Sequence, residues 1–297
     1  STSYYELFSP DKENIYSNDA SDIYAVRLYT NHAYEIDLLD LLEAVDFELR
    51  VINQSEVFLS TEAEVSEDRS LDFIWSKPEG IYYIQVVKQF GVGYYKLAFR
   101  HMYIGDVGTP SLKVQWIVPS DTGDIYLIRM QQNLAYDIDL LLASPSIDFE
   151  IRLLNREASV ILETSADAGV YRSLDLIWIN VTGYYYVQVV KETGCGSYTL
   201  KIWELNFGDL GYDGSRYSPS GEDLLENDLY DLYAISLSQG MSYDINLYGY
   251  PSIADFEIQL IAANNTVFYS SDSGPGEEVS LDFICDKASG YYYGKVI

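Results

Sequence analysis

Short runs of alternating apolar and polar residues fill most of the chain. In the run AYDIDLL at residues 135–141, Tyr136, Ile138 and Leu140 share one face, and two aspartates occupy the other. The run YYYVQVV at residues 184–190 alternates in the same way. A period of two is typical of β-strands in sheets that expose one side to solvent. Since no long run has the period of a helix, the pattern predicts an all-β protein.

The same ordered set of runs occurs three times. The segment DFELRVI at Asp46 recurs as DFEIRLL at Asp148 and DFEIQLI at Asp255. Each repeat contains about seven predicted strands, which is typical of a two-sheet jelly-roll or Greek-key sandwich. We therefore predict three tandem β-sandwich domains at residues 10–104, 105–208 and 209–297, preceded by a separate strand at residues 1–9.

The order of motifs within each repeat resembles one known family. An Asp-x-Tyr motif is followed by Tyr-x-Ile-x-Leu, Asp-Phe-x-Leu, Gly-x-Tyr-Tyr-x-x-Val and Gly-x-Gly-x-Tyr-x-Leu. This order is similar to that of pre-peptidase C-terminal domains, and the resemblance covers nearly the whole chain. It implies jelly-roll modules of a secreted bacterial or archaeal protein; some such modules follow a protease, and some bind calcium, collagen or other polymers. The chain departs from the family pattern because no protease domain is attached and the third repeat is truncated.

The third repeat lacks the final strand of its two sisters. Those repeats end on the runs GYYKLAF at residues 93–99 and GSYTLKI at residues 196–202, whereas the third repeat reaches Ile297 before such a run. The N-terminal run SYYELF at residues 3–8 matches the missing strand, with Tyr5 and Leu7 at inward positions. We expect it to complete the third domain of another copy, as in donor-strand complementation. The predicted donor residues are Tyr4, Tyr5, Glu6, Leu7 and Phe8.

The expected acceptor groove runs along Tyr292, Gly294 and Val296. Donation from head to tail does not pair a surface with itself, so it generates rings or open filaments. Two alternatives remain open: a fragment cut from a longer tandem array, and a ring closed within one chain. The start at Ser1 fits either a mature product whose leader was removed or a fragment.

Charge narrows the range of partners. The chain has 46 Asp and Glu residues against 18 Lys and Arg residues, a net charge of −28. Such a surface repels nucleic acid and anionic lipid, so we expect neither as a partner. Because no run of about 18 apolar residues occurs, we predict no membrane span.

No set of residues predicts catalysis. The two histidines, His32 and His101, have no Ser or Cys in a recognisable nucleophile setting, and neither Gly-x-Ser-x-Gly nor His-Glu-x-x-His occurs. We therefore expect ordinary surface histidines and a protein that is not an enzyme.

Paired carboxylates are the candidates for a metal site. Calcium takes six to eight oxygen ligands, which acidic strands or the Gly-Asp connectors between repeats could supply. The alternatives are a solvated acidic face and tight inter-domain turns. The candidate calcium ligands are Asp46, Glu48, Asp148, Glu150, Asp255 and Glu257 on strands, and Asp106, Asp209 and Asp213 in connectors. A second acidic set comprises Glu35, Asp37, Asp137 and Asp139.

Glycosylation sequons and cysteines give evidence on whether the protein is extracellular. Candidate glycosylation sites are Asn53, Asn180 and Asn264, of which the first and last fall in equivalent turns and favour an extracellular surface. The two cysteines, Cys195 and Cys285, either pair, within the chain or between subunits, or remain free thiols.

These patterns predict a structural subunit of an extracellular filament, on an archaeal cell surface in the sharper form of the hypothesis. Identical subunits are its expected partners. The alternative is a set of tandem modules that bind a polysaccharide or protein substrate for a secreted hydrolase. Such modules stay monomeric and belong to a longer reading frame.

Overall fold

A computed structural model describes residues 7–8, 13–39, 41, 44–54, 56–61, 67–106, 111–164, 171–176, 179, 181–209, 230–248 and 252–297. These residues form strands, turns and irregular segments, and none of them is helical. The prediction of an all-β protein is confirmed. Within the same residues, no helix has the length and apolarity needed to cross a membrane.

The described residues of the first repeat form nine strands, several of which follow the alternating runs of the sequence. They are β1 (Leu7–Phe8), β2 (Glu13–Ile15), β3 (Ser21–Leu28), β4 (Ala33–Leu39), β5 (Asp46–Asn53), β6 (Glu56–Ser60), β7 (Arg69–Ile74), β8 (Gly80–Phe90) and β9 (Gly93–His101). One antiparallel sheet has the order β3-β8-β5-β6, and the other has β9-β4-β7 with β1 and β2 on the outer edge of β9. Inward side chains such as Ile36, Leu49 and Val86 are completely buried and form the core, as in a β-sandwich.

The second repeat follows the same plan. Its strands are β10 (Tyr103–Asp106), β11 (Ser111–Ile117), β12 (Gly123–Met130), β13 (Ala135–Leu142), β14 (Asp148–Leu154), β15 (Val160–Glu163), β16 (Tyr171–Leu176), β17 (Gly183–Thr193) and β18 (Gly196–Asp209). One sheet has the order β10-β12-β17-β14-β15, and the other has β11-β18-β13-β16. The last strand, β18, therefore lies between an edge strand and β13.

The described residues of the third repeat form one four-stranded sheet and one strand pair. Its described strands are β19 (Asp231–Leu237), β20 (Ser242–Leu247), β21 (Glu257–Ile261), β22 (Val267–Asp272), β23 (Val279–Ile284) and β24 (Gly290–Val296). The strands β19-β24-β21-β22 form one sheet, whereas the other consists of β20 and β23 alone among the described residues.

Each of the first two repeats continues into the sheet of the next. Strand β10 follows β9 directly and pairs in parallel with β12, and the end of β18 pairs in parallel with β19 from Asn206 to Asp209. Asp106 and Asp209 thus lie at the ends of strands, because the connector backbone is used for sheet pairing, and their role as calcium ligands stays a prediction. Asp213 lies outside the described residues.

Candidate assembly site

One edge of β20 has no strand beside it among the described residues. The equivalent strand β13 pairs with β16 on one side and with β18 on the other, from Ala135 opposite Leu205 to Leu142 opposite Tyr198. Strand β4 pairs in the same way with β7 and β9. Within the described part of the chain, strand β20 pairs with β23 alone. An edge of this kind presents backbone N–H and C=O groups that another strand can bind.

The missing neighbour leaves the inward side chains of β20 half-covered. Tyr136, Ile138 and Leu140 of β13 are fully buried. Their equivalents in β20 are half-buried, although they pack against the core of the third repeat; they are Tyr243, Ile245 and Leu247. A strand placed beside β20 would complete their burial.

The open edge belongs to β20 and not to the strand of the predicted groove residues. Strand β24 carries Tyr292, Gly294 and Val296, and it is flanked on both sides by β19 and β21. Tyr292 is buried in the core of its own repeat. The space beside Gly294 is occupied, since a Cβ there would lie 3.1 Å from Cδ1 of Ile235. A donated strand can therefore meet these residues only across the sandwich.

The predicted donor segment is described only in part. Tyr4, Tyr5 and Glu6 lie outside the described residues. Leu7 and Phe8 pair antiparallel with Phe99 and Ala98 of β9 in the same chain. This position corresponds to that of β11 beside β18, so within one chain the segment takes the place of an edge strand rather than of a last strand.

The polar side of β4, expected to face solvent, is buried instead. Ala33, Glu35 and Asp37 lie on this side, and all three are buried because β12 of the next repeat packs against β4 and β7. The same holds for Ala135, Asp137 and Asp139 of β13, against which β19 packs. We call this outer side of a repeat its tail face. Alternation identified the face correctly but not what covers it.

The surface that covers a tail face is built on two paired strands of the next repeat, β12 and β17 in the second repeat and β19 and β24 in the third. In the second repeat it includes Leu127, which is 1% exposed, and Tyr186 directly opposite on β17. The backbone N–H of Leu127 donates to Met102 O at 2.7 Å, and the Tyr186 hydroxyl donates to Asn31 O at 2.9 Å. The equivalent pair Ala234 and Tyr293 is buried against Ala135 and Leu205. We call this surface the head face.

Carboxyl groups are concentrated where the first two repeats meet. Glu35 and Asp72 are directly opposite each other on β4 and β7, and Asp124 approaches from β12. One oxygen from each lies within 4.8 Å of the others. The guanidinium of Arg100 contacts Glu35 Oε1 at 2.7 Å and also Asp37. Glu35 Oε2 and Asp72 Oδ1 are buried without a hydrogen-bond partner.

Burial sets the protonation of this cluster. It raises the pKa of Glu35 to about 9, with a further contribution from the Asp37 charge, and it raises the pKa of Asp124 to about 8. The pKa of Asp72 is also raised, first by burial and then by the neighbouring acids. Burial therefore disfavours the charged forms of Glu35, Asp72 and Asp124. Among the described residues, these three acids are placed to share a hard cation.

The acids that we predicted as calcium ligands have other partners. Glu48 receives two hydrogen bonds from Arg50, at 2.7 and 2.6 Å. Asp148 pairs with Arg172 at 3.0 Å. The remaining described members behave similarly or face solvent: Asp46 lies near Arg69, Glu150 near Arg152, Glu257 accepts from Gln259, and Asp255 is exposed. Five of these six described carboxylates thus lie beside a side chain of the same strand or of the facing sheet.

The two histidines are not ordinary surface residues. His32 Nδ1 and His101 Nε2 lie 2.7 Å apart, and the rings stack with centroids 4.8 Å apart. Burial, together with the neighbouring His32, lowers the pKa of His101 to about 4. No Ser or Cys hydroxyl or thiol is hydrogen-bonded to either ring among the contacts described.

The cysteines and sequons occupy separate places. Cys195 is exposed in the turn before β18, whereas Cys285 is buried in the third repeat, and both are free thiols. They form no disulfide because they belong to different repeats and Cys285 is enclosed by core side chains.

Asn53 and Asn264 are exposed at equivalent hairpins, after β5 and after β21. Asn180 lies outside the described residues.

Comparisons with known proteins are distant. No family model matches the chain, and no curated protein matches it. A pre-peptidase C-terminal domain of collagenase from Bacillus anthracis is 18% identical over 34% of this chain and 91% of that chain, with a TM-score of 0.27. A tandem CBM22 domain of Paenibacillus barcinonensis Xyn10C is 11% identical over 60% and 81%, with a TM-score of 0.18. The M60 catalytic domain with CBM51 domains of Clostridium perfringens ZmpB is 7% identical over 65% and 34%, with a TM-score of 0.23. At such scores the likenesses carry no argument about function.

Proposed function

We propose that the chain is a non-enzymatic subunit of an extracellular filament, which polymerises head to tail when a strand from one copy completes the third repeat of another. The open edge of β20 is the observation that supports this proposal most directly. A two-stranded sheet with a half-covered apolar face is marginally stable alone. A third strand beside β20 would give the third repeat the arrangement found in the other two.

The sequence of the donor follows from what β18 supplies in the second repeat. There Tyr198, Leu200 and Ile202 point into the core and are completely or almost completely buried. Tyr5 and Leu7 have the same spacing as the first two. Within one chain the donor is held at Leu7 and Phe8 by a two-residue pairing, and donation requires that short pairing to open.

The energy of strand insertion is modest. Burying the two inward donor side chains, Tyr5 and Leu7, contributes about 4 kcal/mol, at roughly 2 kcal/mol each. New hydrogen bonds along the strand add about 1 kcal/mol each. Association costs on the order of 4–15 kcal/mol, which is close to the free energy that strand insertion supplies. A lasting contact therefore needs further buried surface between copies.

A pair of donor variants tests the proposal. Leu7→Asp places a charge at an inward position, whereas Glu6→Gln changes a neighbouring outward position and serves as the control. We expect wild type and Glu6→Gln to form long polymers in electron micrographs and sedimentation, and Leu7→Asp to remain monomeric. In wild-type polymers, amides of β20 should exchange with deuterium at least tenfold more slowly than in monomers. Normal polymers of Leu7→Asp, or unprotected β20 amides in polymers, would refute strand donation.

The alternative, a module that binds a polymer for a secreted hydrolase, stays a prediction, because none of the contacts described above favours it specifically. A wild-type chain that stays monomeric and binds a polysaccharide or collagen would support it.

A further inference from the structure

The chain contains two copies of one junction and the two separate halves of a third. The tail face of the first repeat is covered by the head face of the second, and the tail face of the second is covered by the head face of the third. The head face of the first repeat and the tail face of the third have no repeat against them among the described residues. The two uncovered surfaces are thus the two sides of a contact that the chain already makes twice.

The uncovered head face shows what the junction normally buries. Ala25 and Tyr83 are directly opposite on β3 and β8, in the positions of Leu127 and Tyr186. Ala25 is exposed and Tyr83 is half-buried. Ile23 on the same side of β3 is 56% exposed, whereas its equivalent in the third repeat, Leu232, is 1% exposed.

The uncovered tail face differs from its relatives in the same way. Ser242 and Ile284 are directly opposite on β20 and β23, in the positions of Ala33 and Ile74. Ala33 is fully buried and Ile74 packs against the core of the second repeat, but Ser242 is exposed and Ile284 is 64% exposed. Asp244 and Asp282 form the next pair and are exposed, in place of the buried Glu35 and the half-buried Asp72.

We propose that the tail face of the third repeat docks on the head face of the first repeat of a second copy, in the arrangement of the internal junctions. The inference rests on the proposed head-to-tail assembly. It identifies the additional surface between copies that a lasting contact needs beyond strand insertion. This docking agrees with strand donation, because the donor segment at residues 3–8 precedes the first repeat and the strand it would pair with, β20, belongs to the third repeat.

Two variants, each blocking one face, test the docking. Ala25→Arg places a charge on the head face, and Ile284→Arg places one on the tail face; both positions are exposed in the single chain, so folding should be unaffected. Val57→Arg is the matched control, since Val57, Val160 and Val267 are 48%, 49% and 47% exposed at equivalent positions, away from every junction. Circular dichroism and thermal unfolding verify that each variant is folded.

Each blocked variant retains one intact face, so the size of the assembly that it can form is limited. Alone, Ala25→Arg and Ile284→Arg should sediment as monomers, while Val57→Arg polymerises like wild type. Mixed in equal amounts, the two blocked variants should form dimers and nothing longer, through the intact tail of one and the intact head of the other.

The failures are distinguishable. Polymers of normal length from Ala25→Arg or Ile284→Arg alone would overturn the docking surface and leave strand donation standing if Leu7→Asp is still monomeric. Folded blocked variants that stay monomeric when mixed would overturn the paired faces. Wild type that does not polymerise would overturn the proposed assembly itself.

Discussion

The open edge of β20 makes a quantitative prediction for a matched pair of substitutions. Ile138 and Ile245 occupy the same inward position, opposite Leu174 and Leu281 respectively. Ile138 is fully buried, because β16 and β18 enclose its strand. Ile245 is half-buried, because β20 has a strand on one side only among the described residues. Replacing each with alanine removes the same three carbon atoms from different surroundings.

The expected costs differ by about 2 kcal/mol. Loss of three buried carbons costs roughly 2.4 kcal/mol in transfer free energy, at about 0.8 kcal/mol each. The cavity left at Ile138 adds to this, so Ile138→Ala should cost about 3 kcal/mol. At Ile245 about half of the transfer cost applies, and water fills the vacated space, so Ile245→Ala should cost about 1 kcal/mol.

Native-state hydrogen exchange of the amides in β16 and β23 measures the two costs separately in one chain. In monomers the free energy of opening should fall about 2 kcal/mol more for Ile138→Ala, roughly a thirtyfold difference in exchange rate. In polymers the two costs should converge, since a donated strand encloses Ile245. Equal costs in the monomer would show that the edge of β20 is already covered and would refute the reasoning.

Three further predictions follow from the buried groups. In calcium-free buffer at pH 7, Asp72→Asn should stabilise the protein by about 1 kcal/mol in thermal unfolding, because it removes the half-buried one of two opposed acids at the junction. The exposed equivalent Asp282→Asn should change stability by less than about 0.5 kcal/mol; destabilisation by Asp72→Asn would contradict this. The pKa of His101 is about 4 in the folded state, below the unfolded value, so the unfolded state binds more protons between about pH 4 and 6.5 and stability falls as the pH drops through that window. His101→Phe should abolish about 1–2 kcal/mol of that loss, a figure that discounts the full pKa shift for the partial exposure of the ring. An unchanged dependence of stability on pH in this variant would argue against the assignment. Maleimide should label Cys195 in the native protein and Cys285 only after denaturation, as followed by mass spectrometry; equal labelling rates would contradict the buried position of Cys285.

The alternating pattern was sufficient to identify strands and the faces of their side chains. The run AYDIDLL became β13, with Tyr136, Ile138 and Leu140 inward as expected. The groove residues Tyr292, Gly294 and Val296 stay a prediction, and alternation on β24 does not reveal that β24 is flanked on both sides.

The histidine pair shows a different limit. His32 and His101 are 69 residues apart, and nothing in the local pattern indicates that the two rings stack. Their contact depends on where the end of β9 lies relative to the turn before β4. Long-range register of this kind is set by the whole sandwich, and a single sequence does not encode it in a readable short motif.

The sequence by itself determined the repeated all-β plan, because period-two burial is a local property that each run carries on its own. Only the tertiary structure decided that the acidic side of β4 is an interface. Glu35 faces away from its own core, as its position requires, yet it is 5% exposed because the next repeat covers it. A local pattern distinguishes the two sides of a strand, but the free energy of each side depends on what packs there, and that is fixed only when the repeats come together.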